Sequence, residues 1–186
     1  MNKLLQIVKG CYRHDRLSQR SFYERYYGYA LKISFRYMDS YEEATQLTND
    51  TFLTIFRNFS CFGYDDKNNV DVYLTEWIKT KMIEAIIRDL KMKIALYQPD
   101  HIPNPYRKCQ HQLFPETPAL YDQLIAVLRE LPPILRAVFN LHVIDLYPQT
   151  EIAKIFGISL QTTVSYIQIA RQLCIKPFLT AKSSDR

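Results

Sequence analysis

Apolar residues recur at three- and four-residue intervals along nearly the whole chain, the spacing of amphipathic helices, and no alternating apolar and polar run is long enough to require a sheet. The pattern predicts an all-α fold with helices over Lys3–Lys9, Ser18–Met38, Tyr41–Phe59, Val72–Met92, Ala119–Glu130, Pro133–Leu146, Thr150–Phe156 and Leu160–Leu179. Several starts are chemically marked. Ser40 precedes Glu42 and Glu43, a hydroxyl cap followed by negative charge in the first turn. Ser18 is a weaker start of the same kind, and Pro132 with Pro133 suits a first helical turn.

The periodicity lapses between Lys93 and Pro118, where five prolines (Pro99, Pro103, Pro105, Pro115, Pro118) fall in a stretch with little apolar order. This reads as an extended linker over 93–118, separating helical domains over 1–92 and 119–186. At ~3.3 Å per residue it spans at most ~86 Å, more than two turns of duplex DNA at ~34 Å each.

A chain of 186 residues with 47% hydrophobic content can build real cores. It contains no uncharged apolar stretch of membrane-spanning length, and Met1–Arg13 has no apolar signal core, so the protein is expected to stay in the cytoplasm. The cysteines Cys11, Cys61, Cys109 and Cys174 form no C-x-x-C pair and read as reduced thiols. Cys109, His111 and His101 lack a fourth ligand at suitable spacing, so no metal or other cofactor is expected. With no glycine-rich phosphate loop and with His14, His101, His111 and His142 scattered, neither catalysis nor a small-molecule substrate is expected. A net charge of +5 is compatible with a polyanionic partner and decides little alone.

The segment from Thr150 to Ser159, Thr-Glu-Ile-Ala-Lys-Ile-Phe-Gly-Ile-Ser, has the grammar of a helix-turn-helix. Ala153 allows two helices to approach, Gly157 suits a turn with positive φ, Ile158 plugs the shared core, and Ser159 caps the next helix. Leu160 to Arg171 is then the recognition helix. Its expected outward side chains are Gln161, Thr162, Thr163, Ser165, Tyr166, Gln168 and Arg171, which suit base edges and phosphates in a major groove. Ile167, Ala170, Leu173 and Cys174 form the inward stripe.

Together with Leu131-Pro132, Arg136, Val138-Phe139-Asn140-Leu141, Asp145 and Tyr147, this segment resembles region 4 of extracytoplasmic-function sigma factors. The resemblance implies reading of the −35 promoter element and contact with the β flap of RNA polymerase. The family usually carries glycine at Gln161 and basic residues at Val164 and Ile169, so phosphate contacts expected at the latter two are missing.

Phe22-Tyr-Glu-Arg-Tyr-Tyr27, Arg36-Tyr37, Glu42-Glu43-Ala44 and Asp50-Thr-Phe52-Leu-x-Ile-Phe56 resemble sigma region 2.1 to 2.2. That likeness assigns Gln46, Asn49, Asp50 and Arg57 to the coiled coil of the polymerase β′ subunit. Periodicity agrees that Leu47, Thr51, Phe52, Ile55 and Phe59 face inward, away from these polar positions. The family more often has an acidic residue at Gln46 and glutamine at Asn49.

Trp77-Ile-Lys, Met82, Ala85, Ile87 and Leu90-Lys91 resemble regions 2.3 to 2.4, which open the −10 element. Unstacked bases need flat side chains beside a cationic track. Candidates are Phe62, Tyr64, Asn68 and Asn69 in the preceding loop, and Lys79, Lys81, Glu84, Arg88 and Lys91 on the helix. Glu84 stands where the family has asparagine, and Arg88 where it often has aspartate.

The resemblance implies a promoter-recognition sigma factor that binds promoter DNA and core RNA polymerase and directs transcription initiation. It also implies restraint by an anti-sigma factor, often held at the inner membrane of a bacterium. The alternatives are a degenerate sigma-like regulator that does not initiate, and a helical protein-interaction module.

Overall fold

The computed structural model describes residues 3–63, 69–96 and 120–181, and no strand occurs among them. The helices are α1 (Lys3–Tyr12), α2 (Arg16–Phe35), α3 (Tyr41–Arg57), α4 (Val70–Leu96), α5 (Leu120–Glu130), α6 (Pro133–Phe139), α7 (Gln149–Phe156) and α8 (Leu160–Ala181). The chain is all-α, and contacts divide it into two compact units, Met1–Arg88 and Asp89–Arg186. Helix α4 continues to Leu96, so the expected linker begins as helix. Its remainder, with the five prolines, Cys109, His101 and His111, lies outside the described residues.

In the first unit α1 buries Leu4, Val8 and Cys11, a four-then-three spacing that makes one stripe. Burial pushes the Cys11 thiol up to about 12, with the Asp15 carboxylate adding to the shift. The chain turns at His14, and α2 starts at Arg16, earlier than Ser18. Asp15 is its cap, accepting from the Ser18 backbone N–H at 2.8 Å and the Ser18 hydroxyl at 2.6 Å. A carboxylate outcompetes a hydroxyl as acceptor at a helix N-terminus, because charge assists the bond.

Helix α2 buries Phe22, Tyr26, Ala30, Ile33 and Ser34 against its neighbours. Ser40 caps α3 as expected, accepting from the Glu43 N–H at 3.0 Å. The inward seam of α3 is Ala44, Thr48, Thr51, Phe52 and Ile55, whereas Leu47, expected to face in, is half-buried. Small residues hold that seam because α2 meets α3 there: the Ser34 and Thr48 hydroxyls lie 2.9 Å apart, both fully buried. Thr48 also donates to the Ala44 carbonyl at 2.7 Å, so the buried hydroxyls are satisfied.

Phe59 sits fully buried in a single 3-10 turn after α3, its ring 5.3 Å from Phe22, 5.3 Å from Tyr12 and 5.5 Å from Trp77. These edge-on contacts tie α1, α2 and α4 to the end of α3.

The second unit packs Leu128, Leu131, Leu135, Val138, Leu141, Ile152, Ile167, Ala170 and Cys174 inward. Arg136 is buried among them at 1% exposure, with Nη1 donating to the Arg129 carbonyl at 3.2 Å. The helix expected to run unbroken over Pro133–Leu146 is α-helical only to Phe139 and widens into a π turn over Asn140–Ile144. The Asp145 N–H reaches back five residues to the Asn140 carbonyl at 2.9 Å, and the Tyr147 N–H bonds Leu141 at 2.8 Å. Leu146 ends the turn at φ 62°, and Pro148 N-caps α7.

Candidate nucleic-acid interface

In the second unit α7 and α8 form a helix-turn-helix. Gly157 takes φ 66°, a left-handed conformation that costs a Cβ-bearing residue energy and glycine little. The Ile158 N–H then bonds the Ala153 carbonyl at 3.1 Å, the backbone closure that ends many helices. Ser159 accepts from the Thr162 N–H at 3.0 Å and caps α8. Ala153 is buried at the contact, and Ile158 is half-buried.

Along α8, Gln161, Ser165, Gln168 and Arg171 are exposed, with Thr162 and Tyr166 half-buried beside them. Thr163 departs from its expected outward place. It is fully buried, on the inward stripe with Ile167, Ala170 and Cys174, and its hydroxyl donates to the Ser159 carbonyl at 3.0 Å. Four-residue spacing to Ile167 dictates this, since i and i+4 share a helix face. Leu173 is half-buried, and burial pushes the Cys174 thiol up to about 11.

In the first unit Gln46, Asn49, Asp50 and Arg57 are exposed on α3. They surround Leu53, a 55% exposed leucine at the centre of the same face.

On α4, Glu84, Arg88 and Lys91 are exposed, and Lys81 pairs with Glu84 at 2.9 Å. Lys79 is half-buried and lies about 140° round the helix from Glu84, so it does not share that face. Asn69 is exposed, and its carbonyl receives the Val72 and Tyr73 N–H groups at 3.0 and 3.2 Å, opening α4. Phe62 corrects the expectation of a base platform: it is 3% exposed, its ring 5.1 Å from Trp77 and 6.1 Å from Phe59. Tyr64 and Asn68 lie outside the described residues.

A family profile described as Sigma-70 region 2 matches residues 22–90, and one described as Sigma-70, region 4 matches residues 121–174. The chain belongs to the sigma-70 family. The pair of regions is that of the extracytoplasmic-function group. Sigma-70 factors are DNA-binding proteins of transcription initiation, and this chain carries the regions for promoter recognition. No curated protein matches the chain.

Three further residues of this sigma factor share the exposed faces and escaped the reading by motif. Leu53 is one. Tyr73, 42% exposed, lies eleven residues and about three turns before Glu84 on the same face of α4, one turn before the half-buried Trp77. Gln172, exposed, continues the outward line of Gln161, Ser165 and Gln168. Helical register finds all three, because each falls at i+3, i+4 or i+7 from a residue already singled out. Val164 and Ile169 are both half-buried, flanking that line rather than leading it.

Among the described residues no group of three His, Cys, Asp or Glu side chains is placed to hold a metal ion, and no helix is long and apolar enough to cross a membrane.

Proposed function

We propose that the chain holds core RNA polymerase through the exposed face of α3, opens the −10 element with the exposed face of α4 and the loop before it, and reads the −35 element with α8. In this reading residues 1–92 and 119–186 act as separate grips joined by the segment between them. The chain catalyses no reaction itself, takes no cofactor or small-molecule substrate, and works in the bacterial cytoplasm under an anti-sigma factor. Gln46, Asn49, Asp50 and Arg57 contact the β′ coiled coil. Asn69, Glu84, Arg88 and Lys91, with Tyr73 added, serve the −10 element. Gln161, Thr162, Ser165, Tyr166, Gln168 and Arg171 serve the −35 element, and the second unit also touches the β flap.

The observation that carries this reading is that both sigma-70 regions are present, each with a polar helix face left uncovered within its own unit. Run-off transcription from a cognate promoter with purified core polymerase tests it. Promoter-dependent transcripts support initiation. Core binding without transcripts on any enriched promoter would replace it with the second reading, a sigma-like regulator that binds without initiating. One observation favours that alternative: the Lys81 ammonium is paired with Glu84, and this places a carboxylate within the cationic track that single-stranded DNA would follow.

A further inference from the structure

The Tyr23 hydroxyl on α2 donates to Asn49 Oδ1 on α3 at 2.8 Å. Asn49 is exposed, whereas Tyr23 is half-buried. The Tyr23 ring lies 5.0 Å from Phe52 on α3 and 4.9 Å from Tyr27 on its own helix. The phenol is therefore held by two aromatic neighbours and does not depend on Asn49 for its position. Burial, with Tyr27 beside it, raises the Tyr23 pKa above its ordinary value.

An unconstrained asparagine on a helix surface turns about its last torsion and offers either its carbonyl or its NH2 group. With the carbonyl oxygen engaged by Tyr23, the NH2 donors are the part of Asn49 left for a partner. Asp50, the next residue, offers only acceptors when ionised. The two adjacent positions thus present opposite hydrogen-bonding characters.

We propose that Tyr23 is a positioning residue that presets Asn49 as a hydrogen-bond donor toward core polymerase, where a carbonyl or carboxylate of the docked β′ helix receives it. The inference rests on reading the exposed face of α3 as the polymerase surface. Its physical gain is preorganisation: a side chain ordered before docking loses less entropy on docking.

The test is equilibrium binding of the full chain to core RNA polymerase for the wild type, Tyr23→Phe, Asn49→Ala, Asn49→Asp, Asp50→Ala and the double variant Tyr23→Phe/Asn49→Ala. Tyr23→Phe keeps both ring contacts, so its thermal melt should match the wild type while its affinity falls about three- to tenfold. Asn49→Ala and Asn49→Asp should each lose about tenfold, the latter because a carboxylate still accepts from Tyr23 but has no N–H to give. The double variant should bind no more weakly than Asn49→Ala, since removing the asparagine leaves Tyr23 nothing to position. Wild-type affinity for Tyr23→Phe beside a weakened Asn49→Ala would overturn the role of Tyr23 alone, as would losses that multiply in the double variant. Wild-type affinity for Asn49→Ala, Asn49→Asp and Asp50→Ala together would overturn the polymerase-face reading first, and the inference with it.

Discussion

The ring of Phe62 rests 5.1 Å from that of Trp77, tilted by 42°, and the Phe62 carbonyl accepts the hydroxyl of Tyr12. The residue that leads out of α3 toward the loop before α4 is thereby pinned from two sides, by α4 through its ring and by α1 through its backbone. In the proposed reading, an aromatic held in this way would brace the segment before α4 rather than receive a base itself.

Phe62→Ala should therefore act through folding. It removes a nearly fully buried ring, a change that costs about 3–5 kcal/mol, and should lower the thermal stability of the first unit. Tyr73→Ala removes an exposed ring and should leave stability within about 0.5 kcal/mol while reducing promoter opening. Denaturation curves read the first effect, and permanganate reactivity of promoter thymines reads the second. A Phe62→Ala variant as stable as wild type but unable to open promoters would restore Phe62 to the base-contacting set.

Two glycines should respond to alanine with opposite signs. Gly28 lies in the interior of α2, and a Cβ there would meet nothing within 4 Å, so Gly28→Ala should stabilise the first unit by about 0.8–1 kcal/mol through helix propensity. At Gly10 a Cβ would fall 2.4 Å from Ser18 Cβ and 1.9 Å from its hydroxyl oxygen, so the contact between α1 and the start of α2 must open. Gly10→Ala should cost about 1–3 kcal/mol. Urea unfolding of both variants checks the pair, and a Gly28→Ala loss would mean that the exposed backbone there is already covered.

Fold class, the helices and the turn at Gly157 were legible in the chain because they depend on local spacing and on one residue's conformational freedom. Other features were not. The π turn at Asn140 follows from how Asp145 and Tyr147 close on the preceding carbonyls, and no periodicity announces a five-residue reach. The cap at Asp15 was hidden by a serine three residues later that turned out to be its donor. Thr163 and Phe62 misled for a common reason: a hydroxyl or a ring looks functional in a motif, and only burial shows it serving the core. Leu53, Tyr73 and Gln172 were missed in the opposite sense, since resemblance named some members of each face and register alone completes it.

The outward line of α8 should separate specificity from stability. Gln168→Ala should weaken binding to the cognate −35 duplex by about 1–3 kcal/mol and flatten base preference at one position, because a glutamine pairs with adenine through two hydrogen bonds. Thr163→Ala should lower stability while leaving base preference unchanged, since its hydroxyl faces the Ser159 carbonyl. Arg171→Ala should reduce the salt dependence of binding by about one unit of slope if it meets phosphate. Competition binding over single-base variants of the site distinguishes these, and altered preference in Thr163→Ala would put that residue back in the groove.

The acid limb of stability should carry the signature of Asp15. Two hydrogen bonds from Ser18, first from its hydroxyl and then from its backbone N–H, hold the Asp15 carboxyl below its ordinary value of 3.8. A folded-state pKa that is depressed contributes stability that is present above the unfolded value and is lost as pH falls through the folded one. The carboxylate also sits at the positive end of α2, which favours the ionised form. In an Asp15→Asn variant the amide oxygen can still accept from Ser18 but the side chain cannot ionise, so the variant should melt below the wild type at about pH 6 and converge with it toward about pH 2. Melting temperatures of the two proteins across that range measure the difference directly, and curves that stay parallel would mean that capping here depends on the acceptor and not on its charge.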